Sequence, residues 1–288
     1  RCTSSAASDV YKRQTLNWPI GGMTGNMCCG FYQPSQDLAN AFQTSNGLPL
    51  LDTYNQSDIA NDAGINSDEA FTPHTGPLDP RIDFTIGRRG IEYNGYGPFT
   101  GKENIRASFS DISGPYAAKK SMYYAGDDTN KGTGGWGQQR SGINYHIIRY
   151  ADVLLMAAEA AVESGSLETA RGYVNQVRQR AIDGPRADSS PNYSISTYGS
   201  AWTDQAVARK AVRFERRLEL GMEGGRLFDL RRWNVMEATL NAYISNEGRT
   251  IPTFQSRAAS VQSKHNALPI PTEAIDNSQG ALTQNPGY

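Results

Sequence analysis

The spacing of apolar and polar residues divides the chain into a loop-rich first part and a helical second part. From Thr15 to about Gly142, glycine, proline, asparagine and aspartate recur every few residues, which is typical of turns and loops. One short helix is predicted around residues 35–44, with Ser35 as its N-cap. The alternation in RIDFTIG (81–87) predicts a short strand. We therefore expect few regular elements before residue 143.

Two consecutive helices are predicted after residue 144. The segment 145–165 is apolar nearly all round, which predicts a helix buried on most sides. Gly165 and Ser166 fit a helix stop and the next N-cap. The following helix has one apolar stripe with spacings of three and four, formed by Leu167, Ala170, Val174, Val177 and Ala181. So short a turn requires antiparallel packing. The pair resembles one tetratricopeptide unit, which needs stacking partners to bury its outer faces.

The rest of the chain also favours helix. A third helix is predicted from Thr203 to Leu220, capped by Thr203 and Asp204, and a fourth from Arg226 to Ile244. The predicted fold is mostly α, a tetratricopeptide-like αα scaffold with a loop-rich lobe and few short strands. We assign residues 15–143 to a loop-rich, ligand-facing lobe and residues 144–288 to a helical scaffold.

Composition removes several classes of function. The 28 basic and 29 acidic residues nearly cancel, so there is no basic excess for nucleic acid. No apolar run approaches the roughly 18 residues of a membrane-spanning helix. The three cysteines form no C-x-x-C pair and the three histidines lie far apart, so we expect neither a metal nor a cofactor. No G-x-S-x-G serine motif is present either, and we expect a protein that is not an enzyme.

The first fourteen residues differ in character from the rest of the chain. RCTSSAASDVYKRQ has no initiator methionine, gives way abruptly to a different composition at Thr15, and resembles translated sequencing adapter. We expect residues 1–14 to be non-native. We also expect the native N-terminal half, with any targeting signal, to be missing.

Several motifs, in this order, resemble the C-terminal region of the SusD/RagB family. The resemblance covers roughly residues 28–288, and its specificity comes from the order of the motifs, since each one alone is weak. The motifs are PSQDLANAF (34–42), NGLPL (46–50), LDPRIDFTIG (78–87), IIRYADVLLMAAEAAVESG (147–165), FERRLELGMEGGRLFDLRRW (214–233) and LPIPTEAID…LTQNPGY at the end.

The resemblance implies a SusD-like fold and a non-catalytic role. Members of the family are cell-surface outer-membrane lipoproteins that bind a nutrient, most often an oligo- or polysaccharide. They deliver it to a SusC-like, TonB-dependent transporter. Full-length members are roughly twice this size, and membrane association would come only through a lipid anchor that this fragment lacks. The resemblance transfers no ligand-binding residue.

Charged residues on the third helix suggest a network. Glu215 falls on the apolar stripe and Glu219 lies beside it. Two carboxylates on one helix face would suit acid–base chemistry or a metal, or they are buried acids paired with arginines. We favour the structural interpretation, with a network of Arg149, Glu215, Arg217, Glu219, Arg226 and Asp229.

Aromatic residues in the loops are the candidate glycan-binding side chains, because the apolar C–H faces of sugar rings stack on flat aromatic rings. Trp136 lies among glycines that would leave it unshielded. The candidates are Trp136, Tyr123, Tyr124, Tyr96 and Tyr93. The alternative for each is that it roofs the core beneath the loops. Phe228 and Trp233, at helical spacing, are predicted core residues.

Two other functions remain open at this point. A tetratricopeptide-type adaptor would bind a protein or peptide in the groove of the helix pair. A glycan-active enzyme is the less favoured alternative.

Overall fold

The chain folds into a mostly helical structure with very short strands. The computed structural model describes residues 23, 30, 32–105, 114–127, 129, 143–144 and 146–288. Contacts group the chain into two units, residues 1–224 and 225–288.

The first unit contains two small sheets and five α-helices in its described residues. The helices are α1 (Gln36–Asn40), α2 (Ile82–Thr85), α3 (Tyr150–Glu163), α4 (Leu167–Asp183) and α5 (Gln205–Glu219). The strands pair antiparallel, β1 (Thr44–Ser45) with β2 (Leu48–Pro49) and β3 (Ile86–Gly87) with β4 (Ala117–Ala118). Single 3-10 turns occupy Leu51–Thr53 and Lys102–Asn104. The predicted fold class of helices with few short strands is confirmed.

Helix α1 forms where the sequence predicts it. The Ser35 hydroxyl accepts a hydrogen bond from the Leu38 amide and so caps the helix. Phe42 follows the helix and is fully buried in a cluster that also contains Phe214 and Leu218 of α5. The loop-rich part and the helical part therefore share a core.

The segment 81–87 corrects the sequence prediction, because it begins as helix α2 and only its last two residues form β3. The reason is local. The Asp79 carboxylate accepts a hydrogen bond from the Arg81 amide at 3.0 Å, and the Thr85 hydroxyl donates to the Arg81 carbonyl. These side-chain bonds favour a helical turn over the extended chain that the alternation suggests.

Helices α3, α4 and α5 pack around a core of small and branched residues. Leu155 and Ala158 of α3 share this cluster with Val174 of α4 and Val212 of α5. Asp204 caps α5 by accepting hydrogen bonds from the Ala206 and Val207 amides. The predicted helix pair and the third helix are confirmed.

The prediction that the first of these helices is buried on most sides is wrong. It begins at Tyr150, not near residue 145, and His146 is exposed. Tyr150 is 71% exposed, and Val153 and Met156 are each 44% exposed. Within the described residues α4 and α5 cover only one side of α3, so its other apolar side faces solvent.

The second unit is a small helical group of its own. It contains α6 (Arg226–Arg232), α7 (Met236–Thr250), α8 (Pro252–Arg257), a 3-10 turn (Ser263–Asn266) and α9 (Thr272–Asn277). Leu230, Trp233 and Met236 form its core, so the prediction for Trp233 is confirmed. The predicted helix 226–244 is interrupted at Asn234, whose φ is +55°, a left-handed value.

The inward positions predicted for α6 are only partly right. Phe228 is 68% exposed, so the prediction that it is a core residue is wrong, and its neighbour Leu227 is 45% exposed. A helix this short presents a narrow buried stripe, and Leu230 with the following Trp233 occupies it.

The observed division of the chain does not coincide with the predicted boundary near residue 143. Residues on both sides of that boundary belong to the first unit, because the cluster around Phe42 and the ion pairs of Arg81 with Glu215 and Glu219 join the two parts. Among the described residues, no helix has the length and apolar character needed to cross a lipid bilayer.

We predict that Leu155→Ala destabilises the chain by about 2–5 kcal/mol, since Leu155 is fully buried and its truncation leaves a cavity. The neighbouring Met156→Ala is the matched control and should change the unfolding free energy by less than about 1 kcal/mol, because Met156 is substantially exposed. Urea unfolding followed by circular dichroism measures both. Equal losses in the two variants would contradict the assignment of the buried side of α3.

Candidate functional site

A buried ion-pair network lies at the centre of the first unit. Glu215 of α5 has no exposed surface, and each of its carboxylate oxygens accepts a hydrogen bond from a different arginine. The Arg81 Nη1 to Glu215 Oε1 distance is 2.6 Å, and the Arg178 Nη1 to Glu215 Oε2 distance is 2.8 Å. Both arginines are themselves buried, so the charges compensate one another in a site that excludes water.

Glu219, one turn further along α5, continues the network. Its carboxylate pairs with Arg81, with Arg149 at 2.7 Å and with Arg180 at 2.8 Å. Arg149 stands immediately before α3, and Arg180 lies in the last turn of α4. This one side chain therefore ties together the ends of three helices.

The other charged residues predicted for the network have different partners. Arg217 pairs with Asp37 and lies over the ring of Tyr54, with 4.7 Å between the guanidinium carbon and the ring centroid. Arg226 and Asp229 belong to the second unit. There Arg226 lies over Trp233, and Asp229 pairs with Arg232 at 2.8 Å.

Arg81 and Arg180 belong to the network although sequence reasoning did not name them. Arg81 contacts Asp79, Glu215 and Glu219 at once. The signal lay in the DPRID string (79–83), where alternating charges surround buried apolar positions. Arg180 lies off the apolar stripe of α4, but its long side chain at the helix end reaches back to the buried carboxylate of Glu219.

The network favours an ionised Glu219 with a structural role. Burial alone raises the pKa of the Glu219 carboxyl, but the charges of Arg81, Arg149 and Arg180 outweigh burial and hold the pKa at about 2. Such a carboxyl carries no proton to donate near neutral pH, which makes it unsuited to act as a general acid. None of the described His, Cys, Asp and Glu side chains form a group of three or more that could hold a metal ion.

Two of the five aromatic candidates are enclosed in the core. Tyr93 and Tyr123 each have no exposed surface. The Tyr93 hydroxyl donates to the Ala118 carbonyl, and its ring lies so close to Gly87 that a side chain there would collide with it. For these two residues the expectation is corrected, because a fully enclosed ring offers no face to a sugar, and they roof the core beneath the loops.

Tyr124 and Tyr96 lie on two adjoining loops, which we call the tyrosine loops (residues 92–98 and 119–127). Tyr124 is 56% exposed, and Tyr96 is half-buried. The Ala125 amide donates to the Asn94 carbonyl at 2.8 Å, which joins the loops directly beside both rings. Trp136 lies outside the described residues.

Hydrogen bonds within the tyrosine loops fix their shape. The Glu92 carboxylate accepts from the Gly95 amide at 2.7 Å, and Gly95 has a φ of +82°, which a residue without a side chain adopts readily. The Lys119 ammonium donates to the Glu92 carbonyl. Burial lowers the pKa of Lys119 to about 8. The loops thus present Tyr124 from a preorganised backbone, an arrangement suited to stacking on a ligand.

The sequence as a whole matches one family. A model of the SusD family matches residues 3–288. The chain belongs to the SusD family. The match begins inside the segment 1–14, whose assignment as non-native stays a prediction.

Similar proteins agree with this membership. The chain is 30% identical to SusD-like protein P2 of Formosa agariphila over 179 residues, which cover 62% of this chain and 31% of that protein. It is also similar to the crystal structure of a SusD superfamily protein from Bacteroides vulgatus, with a TM-score of 0.57 and 23% identity. That match covers 94% of this chain and 47% of the other.

A SusD homolog from Bacteroides thetaiotaomicron matches with a TM-score of 0.52 at 24% identity, covering 73% of this chain and 41% of that one. The structural likeness supports the SusD-like fold. The chain spans less than half the length of each of these three relatives.

We predict that Glu215→Gln lowers the unfolding free energy by about 3–5 kcal/mol, because it leaves Arg81 and Arg178 buried without their shared carboxylate. The control is Glu163→Gln, which removes a solvent-exposed pair with Arg209 and should cost at most about 1 kcal/mol. Chemical unfolding measures both variants. A Glu215→Gln protein as stable as the control would refute the structural role.

The depressed pKa of Glu219 leads to a separate prediction, about how stability depends on pH. Its stabilising contribution is fully present above the ordinary glutamate pKa of 4.5 and is lost as pH falls towards about 2. The shift corresponds to about 3 kcal/mol. The difference in unfolding free energy between wild type and Glu219→Gln should therefore shrink as the pH falls from about 5 to about 2, roughly the range between the ordinary and the depressed pKa of Glu219. Urea unfolding at each pH measures this difference. A difference that stays constant over this range would contradict the assignment.

Proposed function

We propose that this chain is part of a cell-surface protein that binds a glycan without chemically altering it. Membership of the SusD family carries the proposal, since the family match extends over nearly the whole chain. The role proposed for the tyrosine loops is to supply part of the surface that contacts the glycan.

The exposure of Tyr124 supports this role. A sugar ring stacks on an aromatic face only where that face reaches solvent, and Tyr124 meets this condition from a loop held by backbone hydrogen bonds. Tyr96 beside it offers a second, partly covered ring. Trp136 remains a candidate from the sequence, because the glycines around it leave room for a ligand.

The burial of both central acids, and the depressed pKa of Glu219, support a role without catalysis. Both carboxylates of the α5 pair are buried among arginines, where they stabilise the fold and are withdrawn from bulk solvent. Glycoside hydrolysis generally uses two carboxyl groups that flank the sugar bond, one of them protonated. The Glu215–Glu219 pair is not arranged for that chemistry.

The proposal extends to delivery and location. The glycan would pass to a SusC-like, TonB-dependent transporter, and the whole protein would be held at the outer membrane by a lipid anchor. Family membership is the support for both statements. A pull-down of the full-length protein with a TonB-dependent transporter encoded beside it would test the partnership.

We predict that the purified chain is retarded in native gels containing a polysaccharide from a panel of neutral and acidic glycans. Tyr124→Ala should weaken the retardation roughly fivefold or more by removing an exposed stacking face. Tyr150→Ala, which removes an exposed tyrosine from α3, is the matched control and should migrate as wild type. Trp136→Ala tests the sequence-based candidate in parallel.

The same samples distinguish glycan binding from the two alternatives, a glycan-active enzyme and a peptide-binding adaptor. Shortened oligosaccharides after incubation with the chain would overturn the non-catalytic role. A folded chain that no glycan retards would refute glycan binding, and binding of peptides by that chain would favour the adaptor.

A further inference from the structure

A cavity of about 340 Å³ opens beside the buried ion-pair network. It lies where α3 begins and where α4 and α5 end, with α2 on a further side. Its volume is at the lower end of the roughly 300–1,000 Å³ of small-molecule sites, which suits one sugar-sized unit. The aromatic and charged side chains of its lining include Phe84, Lys120, Arg149, Arg180, Glu219 and Glu223.

The wall of the cavity has more cations than anions. Arg81, Lys120, Arg149 and Arg180 line it, against two carboxylates, Glu219 and Glu223. Both carboxylates are already engaged. Glu219 is held by three arginines, and Glu223 pairs with Arg149 at 2.8 Å and with Lys120 at 2.6 Å. Arg81 is also balanced by Asp79 and Glu215, which lie outside the lining. The other three lining cations outnumber the two lining acids by one, so one positive charge is in excess at the cavity surface.

The helix ends at the cavity do not cancel this excess. Carbonyl groups at the end of a helix carry partial negative charge. The Glu219 carbonyl of α5 accepts from Lys120 and Arg149. Carbonyls at the end of α4 accept from Arg186. These backbone acceptors are thus paired with cations.

Arg180 has unused donors at this surface. Its side chain is 56% exposed, and only its Nη2 takes part in hydrogen bonds among the described residues. Its Nε and Nη1 groups remain to bind an incoming acceptor. A guanidinium presents its donors in a planar fork that matches a carboxylate.

Apolar side chains form another part of the cavity wall. Phe84 is half-buried, and Pro80, Pro185 and Leu218 complete an apolar wall. A ligand that satisfies both walls has a ring with an apolar C–H face and one negative group. Among glycan units, a sugar that carries a carboxylate has this combination.

We propose that this cavity binds a carboxylated sugar unit of a glycan, with Arg180 taking the carboxylate and Phe84 contacting the ring. The choice of a sugar rests on the proposed glycan-binding function, whereas the choice of an anion rests on the charges of the cavity alone. The cavity is lined by residues other than Tyr96 and Tyr124, so it is an additional subsite.

Titration of the purified chain with glucuronate, and separately with glucose, tests the proposal by calorimetry or ligand-observed NMR. Glucuronate should bind at least about tenfold more tightly than glucose, and binding should weaken with added salt. Arg180→Gln should reduce glucuronate affinity at least about fivefold, because it removes one charge-assisted hydrogen bond. Arg209→Gln, which alters a partly exposed arginine near the other end of α5, should bind as wild type.

Phe84→Ala provides a second variant and should weaken binding of glucuronate without removing its preference over glucose. Thermal unfolding of every variant shows that the fold is kept. Absence of saturable glucuronate binding, equal affinity for glucose, or an unchanged Arg180→Gln would each overturn the cavity proposal. If a neutral polysaccharide retards the chain but glucuronate does not bind, the cavity proposal is rejected and the glycan-binding function stands. If glucuronate binds but no polysaccharide retards the chain, the proposed glycan-binding function is rejected and the cavity proposal stands.

Discussion

The pairing of Glu215 and Glu219 with four arginines is the constraint on which the first unit depends. Removing ionised carboxylates from water costs several kcal/mol each, and only close opposite charges offset this cost. The four arginines come from three places: Arg81 from the turn before α2, Arg149 from the start of α3, and Arg178 and Arg180 from α4. The helices and the loop-rich segment must therefore be assembled together for any of these charges to be satisfied.

This assembly also positions the surfaces proposed to bind ligand. Strand β3 follows directly on α2 and pairs with β4, from which the second tyrosine loop emerges. Lys120 in that loop donates to the Glu219 carbonyl and to Glu223, so the loop is anchored to the end of α5. Arg180 and Phe84 are placed at the cavity by the same elements. The buried acids provide rigidity, and the exposed rings and the exposed arginine are left for recognition.

The sequence predicted the parts of this structure that depend on local patterns. Ser35 and Asp204 signal their helix starts through the hydrogen-bond needs of the first turn, and the stripe on α4 signals its buried side. Prediction failed where tertiary contacts decide. RIDFTIG alternates like a strand, yet the Asp79 carboxylate and the Arg81 ion pairs turn it into a helix. Burial of Tyr93 and Tyr123 depends on which loops cover them, and loop composition alone carries no such information.

The same limit applies to Arg180 and to the apolar side of α3. Hydrophobic periodicity says that Arg180 lies off the buried stripe, but its reach to Glu219 depends on where α5 ends. Periodicity also says that α3 is apolar all round, but how much of it is covered depends on the number of helices packed on it. The family resemblance was carried by strings that form the scaffold. It therefore predicted the fold and the family better than it predicted the ligand surface.

Native-state hydrogen exchange measures most directly whether the ion-pair network makes the loop segment and the helices one cooperative unit. We predict that the protected amides of residues 82–88 exchange with the same opening free energy as those of α4 and α5, because opening either part leaves buried charges unpaired. Exchange of residues 82–88 through a local opening several kcal/mol easier than that of α4 and α5 would contradict it.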